Sequence, residues 1–192
     1  MPRSTPSADT ILDTALDLAE SCGWERLYLH DVATALNCDL ATIARHYRQK
    51  DDLVEAWLDR ADAALFERAR GADLATLAPD KRLEELLMAW LGGIAAHRAL
   101  TGQMLLYKLE LGHVHLQVGA LLRVSRTVQW WREAARRHNL HLARVAEESL
   151  LSAVFLRTFV HWLRHPEVAD ADLRALLRRQ LRGGPLAWLL RA

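Results

Sequence analysis

The most constraining feature of the chain is a pair of short amphipathic segments joined by a tight turn, within residues 27–57. This stretch reads LYLHDVATALNCDLATIARHYRQKDDLVEAW. Its apolar spacing predicts one short helix at about residues 30–36 and a second at about 40–47. Asn37 suits the turn because Asn tolerates left-handed backbone, and Asp39 is a good cap for the second helix. The segment therefore predicts a helix-turn-helix.

The remainder of the chain also carries helical periodicity, because apolar residues recur at spacings of three and four. Gly and Pro are few, and the β-branched residues are too few for an extended sheet. We therefore expect an all-α protein, with a head at residues 1–50 and a helical body at 51–192. The other helices are expected at about residues 9–22, 50–70, 80–98, 101–111, 116–138, 142–165 and 170–182, followed by one short apolar turn in GGPLAWLLRA.

Charge is divided unequally between the two ends of the chain. Residues 1–55 contain five basic and ten acidic side chains, a formal charge of −5, whereas residues 56–192 contain 20 basic and 14 acidic ones, a charge of +6. Affinity for nucleic acid depends on neutralising phosphates with Lys and Arg. An acidic head should therefore bind DNA weakly, unless Arg45, Arg48 and Lys50 make one surface locally positive.

The motifs of common catalytic and metal sites are missing from the sequence. It has no HExxH, no GxSxG, no Gly-rich phosphate loop and no carboxylate pair placed for acid–base work. The His161–His165 and His138–His141 pairs have no acidic or Cys ligand at a fixed offset. Cys22 and Cys38 form no CxxC, and the sequence predicts neither export by a leader peptide nor an apolar membrane span. We expect a cytoplasmic protein that is not an enzyme and has no metal and no cofactor.

The head resembles the tetracycline-repressor (TetR) family of transcription regulators over about 45 residues. The positions that carry the resemblance are Leu16, Leu18, Gly23, Asp31-Val32-Ala33, Thr42-Ile43, His46-Tyr47, Lys50 and Leu53. The resemblance implies a three-helix helix-turn-helix head on a larger C-terminal helical bundle. It also implies that the second helix of the motif enters the major groove of operator DNA. By that resemblance Leu40, Ala41, Thr42, Arg45 and His46 face bases, and Tyr47, Arg48 and Lys50 meet the phosphate backbone.

Three departures from the family pattern lower the affinity for DNA that the resemblance implies. Tyr28 stands where the family usually places a capping Thr that touches a phosphate, and Ala44 replaces a phosphate-contacting Tyr. Asp39 replaces a common Ser and brings a negative charge near the phosphates, although it caps the helix well. Whether DNA binding is retained therefore depends on how these side chains are arranged.

The body has apolar and aromatic residues that could line a pocket for a small apolar ligand, as the family resemblance implies. The candidate contacts are Met88, Leu91, Met104, Tyr107, Leu121, Val124, Val128, Trp131, Phe155 and Phe159. Two amphipathic helices at 142–165 and 170–182, separated by a Pro turn, could form the four-helix interface of a homodimer. The ligand, the operator, the controlled genes and the sign of regulation cannot be read from the sequence.

An alternative interpretation is a lipid-binding protein of the same fold that has lost DNA binding. The residues concerned are Gly23-Trp24 after the first helix, the Leu-Leu-Ser-Ala-Val-Phe stretch, and Asp172 with the Leu-Leu-Arg-Arg run. Through them the chain resembles, more faintly, a ubiquinone-biosynthesis accessory family with a TetR-like fold, whose members bind lipids instead of DNA. A basic C-terminal helix with Arg174, Arg178, Arg179 and Arg182, followed by Trp188, would suit an anionic membrane. However, Arg near a helix C-terminus is also ordinary on a solvated face, and that interpretation is favoured over membrane contact.

Overall fold

The computed structural model describes residues 5–110 and 114–191, and no strand occurs in these ranges. Short 3-10 turns lie at Leu74–Thr76 and Ala95–His97. The helices are α1 (Ala8–Cys22), α2 (Leu29–Ala35), α3 (Leu40–Ala44), α4 (Lys50–Ala69), α5 (Pro79–Gly93), α6 (Arg98–Lys108), α7 (Val114–Ala134), α8 (His141–Arg164), α9 (Asp170–Leu181) and α10 (Gly184–Arg191). The expected all-α class is confirmed.

Four helices, α3, α5, α6 and α7, end at least three residues earlier than the sequence predicted. Helix α3 stops at Ala44 because the backbone tightens into a turn, with the amide of His46 donating to the carbonyl of Ile43. The predicted helix at 80–98 is divided, since α5 ends at Gly93 and a 3-10 turn follows. Helix α7 ends at Ala134, and Arg136 adopts left-handed backbone (φ 56°) shortly after it. Residue 111, the predicted end of α6, lies outside the described ranges.

The chain forms two compact units. The head unit comprises residues 1–59 and 97–117, and the body unit comprises residues 60–96 and 118–192. The head unit therefore contains α6 in addition to the three helices of the predicted head. Helices α4 and α7 each have residues in both units.

The head unit has a core of apolar side chains from α1, α2, α3 and the start of α4. Its buried members include Ile11, Leu12, Ala15, Leu16, Trp24, Leu27, Val32, Ile43, Leu53 and Trp57. Ser7 caps α1 by accepting a hydrogen bond from the amide of Thr10 (3.1 Å), and Gly23 ends it with φ 85°. Helix α6 packs against α1 in this unit, and the Trp57 indole donates to the hydroxyl of Thr101 (2.8 Å).

The body unit packs α9 against α5 and α8, while α10 contacts α8 and α9. Its core is rich in aromatic rings, with the Trp90 ring 5.0 Å from that of Phe155 and 5.4 Å from that of Phe159. The Trp131 indole donates to the carbonyl of Leu83 (2.9 Å), which fixes α7 to α5. Within the described ranges, no helix is both long and apolar enough to cross a membrane.

Candidate functional site

The candidate nucleic-acid interface is the surface of α3 and the turn after it. Asp39 caps α3, and its carboxylate accepts hydrogen bonds from the amide (2.8 Å) and the hydroxyl (2.7 Å) of Thr42. Asn37 has left-handed backbone (φ 53°), as the turn requires. The predicted base-facing and phosphate-facing residues that are exposed here are Leu40, Ala41, Arg45, His46 and Arg48, and Thr42 is half-buried. These six predicted positions lie together on one short stretch of the head unit.

The charge of Asp39 is fixed by its hydrogen bonds to α3. The side-chain hydroxyl of Thr42, followed by the Thr42 amide, holds the pKa of the Asp39 carboxyl below its usual range. The carboxylate is therefore ionised at neutral pH, directly beside the surface that would approach DNA. The hydroxyl proton of Thr42 points to this carboxylate, so toward a base the hydroxyl could only accept.

The N-terminus of α2 has no side-chain cap. Tyr28 occupies the capping position in extended backbone but makes no capping hydrogen bond, and its ring stacks on the imidazole of His30 with 5.3 Å between centroids. The small hydroxyl that would cap this helix is therefore missing in the structure as well as in the sequence. Ala44 is exposed at the end of α3 and offers no hydrogen bond to a phosphate.

Two residues predicted to contact phosphates face the interior of the head unit. Tyr47 is buried, and its hydroxyl donates to the carbonyl of Ala8 (3.0 Å). The ammonium of Lys50 donates to the carbonyl oxygens of Trp24 and Glu25. It also lies 5.2 Å from the Trp24 ring centroid and 5.4 Å from that of Tyr107. Burial lowers the pKa of Lys50 below its ordinary value. In this structure neither polar group is presented outward.

The neighbouring carboxylates are likewise committed to internal bonds. Asp52 accepts hydrogen bonds from the amides of Arg48 (2.8 Å) and Gln49 (3.2 Å), and so caps the start of α4. Asp51 accepts a hydrogen bond from the buried ammonium of Lys108 on α6 (2.9 Å). Lys108 also binds Glu55. The exposed charged side chains at the α3 surface are therefore Arg45, Arg48 and Asp39, with the half-buried carboxylate of Asp52 beside Arg48.

The head unit contains a cavity of about 390 Å³ lined by Glu25, Gln103, Leu106, Tyr107 and Glu110. Tyr107 belongs to the ligand residues predicted from the sequence, and burial raises the pKa of its phenol. Met104, another predicted ligand residue, is buried in the same unit.

The remaining predicted ligand residues belong to the body unit, where most are ordinary core. The buried ones are Met88, Leu91, Val128, Trp131, Phe155 and Phe159. Val124 is half-buried, whereas Leu121 is 70% exposed. Leu121 therefore points to solvent in the isolated chain. The body unit has a cavity of about 520 Å³ at Ala78–Asp80, Leu181, Arg182, Ala187 and Leu190, and another of about 210 Å³ between α8 and the start of α10. The predicted ligand residues line neither of them.

The body core also contains a buried polar cluster that sequence reasoning missed. Asp62 accepts hydrogen bonds from Arg123 (2.8 Å), Trp90 (2.8 Å) and Thr127 (3.2 Å), and all four side chains are buried. The sequence carries a signal for this cluster, because Asp62 lies at helical spacing from Leu58 and Leu65. Arg123 likewise lies at helical spacing from Leu116 and Ala120.

The basic face of α9 is largely neutralised by acidic residues of α5. The guanidinium of Arg174 binds Glu85 (2.6 Å), that of Arg178 binds Glu84 (3.0 Å), and that of Arg182 binds Asp80 (2.6 Å). These ion pairs hold α9 against α5. Three of the four arginines that suggested an anionic membrane therefore have a structural partner within the body unit.

The two helices predicted to form a dimer interface differ in what they expose. Helix α8 exposes Leu142, Val145 and Leu156, with small residues between them. Helix α9 buries its leucines and exposes a mixture of small and charged residues, Ala171, Asp172, Ala175 and Arg179. In the described ranges, no three His, Cys, Asp or Glu side chains lie together as a metal site would require.

The chain is similar to a solved TetR transcriptional regulator from Nitrosomonas europaea ATCC 19718. The two are 40% identical, the match covers 94% of this chain and 98% of that one, and the TM-score is 0.81. A bacterial regulatory protein of the tetR family from Rhodococcus RHA1 matches at 18% identity with a TM-score of 0.47 and coverage of 96% and 95%, which is too distant to support an argument. No protein-family model and no curated protein matches the chain.

Proposed function

The chain belongs to the TetR family of transcriptional regulators, and we propose that it is a dimeric regulator that binds operator DNA through α3. In this proposal two heads contact successive major grooves of an operator. A small apolar ligand shifts the population of the dimer toward a head spacing that no longer fits the DNA.

The exposed surface of α3 is the observation that carries the proposal. Leu40, Ala41, His46 and the two arginines are solvent-exposed on a helix whose start is fixed by the Asp39 cap. Arginine is suited both to base edges and to phosphates because its planar guanidinium donates two parallel hydrogen bonds. Of the cations predicted to contact DNA, Arg45 and Arg48 are the ones that lie outward.

Phosphate contacts by Arg45 and Arg48 predict how strongly the affinity for DNA depends on salt concentration. Two arginines in each head, and two heads in a dimer, would neutralise about four phosphates. At about −0.9 per phosphate, the logarithm of affinity should fall with the logarithm of salt concentration with a slope of about −4. This slope is shallow for a regulator and follows from the inward Lys50 and the ionised Asp39.

The test is binding of the purified protein to DNA fragments from its own locus across a salt series. Arg45→Gln and Arg48→Gln should each weaken binding and reduce the slope by about one for each phosphate lost, that is by about two in a symmetric dimer. Arg70→Gln removes an exposed arginine at the end of α4 and is the matched control, which should leave the slope unchanged. Absence of a specific complex even at about 50 mM salt would refute the DNA-binding proposal.

The ligand part of the proposal has a separate test, since it does not depend on DNA. Tyr107 is the predicted ligand residue that lines a cavity, so Tyr107→Ala should reduce the thermal stabilisation produced by an apolar compound, whereas Leu40→Ala should not. A ligand screen in which no apolar compound raises the melting temperature would leave the regulator without its proposed effector.

A lipid-binding protein of the same fold is the second candidate, favoured by the acidic head and the inward Lys50. It predicts that acyl or isoprenoid species are recovered when the purified protein is extracted with organic solvent. Specific operator binding together with a lipid-free extract would eliminate it.

A further inference from the structure

The cavity of about 520 Å³ in the body unit lies between the start of α5, the end of α9 and helix α10. No residue that the sequence predicted to contact a ligand lines it. We propose that this space, the α10 cavity, binds an amphiphilic anion that consists of one carboxylate on an apolar chain. The inference goes beyond the proposed function, because the apolar effector is assigned to the cavity beside Tyr107 in the head unit.

The inner surface of the α10 cavity is apolar. Leu181 of α9 and Leu190 of α10 line it, and both side chains are buried. Ala78 and Ala187 also line it, and their small side chains leave the space between the helices unfilled. An apolar chain that entered this space would be removed from water against leucine side chains, which favours binding.

Arg82 of α5 is a cation near the cavity that the fold leaves without a partner. Its side chain makes no hydrogen bond or ion pair with the described residues, and its Nε is buried and unsatisfied. A buried donor without a partner lowers the stability of a fold. Arg82 lies three and four residues after Pro79 and Ala78, which line the cavity. Because helical side chains lean back over those positions, its guanidinium is directed toward the cavity side of α5.

Arg182 supplies a second guanidinium, in the lining of the cavity. Its Nε donates to the carboxylate of Asp80 (2.6 Å), and its two terminal nitrogens remain as further donors. A guanidinium binds a carboxylate well because it can donate two parallel hydrogen bonds. Asp80 offsets the charge of Arg182, so Arg82 gives the three groups a net charge of one. This charge suits a ligand with a single carboxylate and disfavours a cation.

The first turn of α5 borders the same space. Helix α5 is 15 residues long, and its cap residue, Ala78, has no side chain that could accept a hydrogen bond from the first amides. The first amides of an α-helix have no partner within the helix, and the helix dipole favours an anion beside them. The helix end therefore adds to the attraction that the two guanidinium groups exert on a carboxylate.

The experiment measures the binding of decanoate to the full chain by isothermal titration calorimetry in the absence of DNA. Decanol and decyltrimethylammonium are the neutral and cationic probes of the same chain length. Decanoate should bind at least about 10-fold more tightly than either, because only the carboxylate accepts charge-assisted hydrogen bonds. Equal affinity for decanoate and decanol would overturn the anion assignment, and so would absence of decanoate binding up to about 1 mM.

Variants test where the anion binds. Arg82→Met and Arg182→Met should each weaken decanoate binding by about 10-fold or more. Ala187→Phe should abolish binding, because the larger side chain fills the cavity from α10. Arg179→Met is the matched control, since it removes an exposed arginine of α9 that does not line the cavity, and it should leave the affinity unchanged. Decanoate binding of wild-type strength in Arg82→Met, Arg182→Met and Ala187→Phe would place the ligand elsewhere and overturn the proposal.

The melting temperature separates a ligand contact from a structural role of Arg82. Because Arg82 has no ion pair to lose, Arg82→Met should keep or raise the melting temperature of the ligand-free chain. The same variant should reduce the rise in melting temperature that decanoate produces. A clear fall in the melting temperature of ligand-free Arg82→Met would give Arg82 a structural role and contradict the proposal.

The outcomes distinguish this inference from the proposed function. A chain that binds its operator but not decanoate overturns the α10 cavity alone, and a chain that binds decanoate but no DNA refutes the regulator alone. The chain should not float with phosphatidylcholine–phosphatidylglycerol vesicles. Flotation that is lost in Arg82→Met, without binding of decanoate, would overturn the inference by assigning these cations to a lipid surface.

Discussion

Replacing Lys108 with Met should destabilise the head unit strongly, because this lysine is a buried cation between two carboxylates. Only 2% of its side chain is exposed, and its ammonium lies 2.7 and 2.9 Å from the two carboxylate oxygens of Asp51 and 2.8 Å from Glu55. Breaking a buried ion pair by removing one partner costs about 3–5 kcal/mol. Both carboxylates retain some contact with water, which places the expected loss at about 3 kcal/mol, the lower end of that range.

The measurement is the free energy of unfolding from urea titrations, followed by circular dichroism, with amide hydrogen exchange of α4 and α6 as the local readout. A loss of about 3 kcal/mol corresponds to a melting temperature lower by roughly 6–12 °C for a chain of this length. Lys81→Met is the matched control. It also removes a lysine bound to a carboxylate, but Lys81 is 36% exposed, so the loss should be below about 1 kcal/mol.

A rescue experiment separates the effect of the unpaired carboxylates from the effect of lost packing. In a Lys108→Met protein, adding Asp51→Asn and Glu55→Gln removes the unpaired charges and should recover at least half of the lost stability. A loss below about 1 kcal/mol in Lys108→Met, or no recovery in the triple variant, would refute this reasoning.

Three further predictions concern groups whose ionisation or pairing is fixed by the fold. Burial lowers the pKa of Lys50. At pH values between that lowered pKa and the ordinary pKa of Lys, the unfolded chain therefore binds more protons than the folded chain. The free energy of unfolding should therefore rise with pH across this alkaline window in the wild type, and Lys50→Met should flatten the rise in denaturation curves. Asp39→Asn keeps the cap and should strengthen operator binding by roughly threefold in low salt, whereas Asp39→Ala should lower the melting temperature. The stabilising effect of the Asp39 charge should fade as pH falls through its lowered pKa, and an unchanged acid profile in Asp39→Asn would contradict this. Glu147→Gln removes the buried carboxylate that binds the guanidinium groups of buried Arg132 and half-buried Arg137, so urea titrations should show a loss of about 3 kcal/mol or more.

The order and type of the helices could be predicted because they depend on residues close in sequence. The caps at Ser7 and Asp39 and the left-handed turn at Asn37 are local devices, and each is present in the structure. Apolar spacing placed all the major helices for the same reason. Most errors lie at helix ends, such as Ala44 and Gly93, where one or two backbone hydrogen bonds decide the boundary. In addition, the segment GGPLAWLLRA, predicted to form one short apolar turn, forms helix α10 (Gly184–Arg191).

The direction of long side chains could not be predicted, because their partners are distant in sequence. The ammonium of Lys50 meets carbonyl oxygens 25 and 26 residues away, and the hydroxyl of Tyr47 meets one 39 residues away. A lysine at the first turn of α4 is equally compatible with a phosphate outside and a carbonyl inside. The packing of α6 in the head unit decides between them, since Tyr107 provides part of the surface over which the Lys50 ammonium lies.

By itself the sequence determined that this protein is all-α, that a helix-turn-helix lies near its N-terminus, and that the chain resembles the TetR regulators. These properties follow from local periodicity, capping and turn chemistry. Only the tertiary structure decided which charges remain on the α3 surface, where Asp62 and Arg123 are paired, and which cations border the α10 cavity. Those properties depend on contacts between helices far apart in sequence, because a side chain's charge and exposure are set by what packs around it.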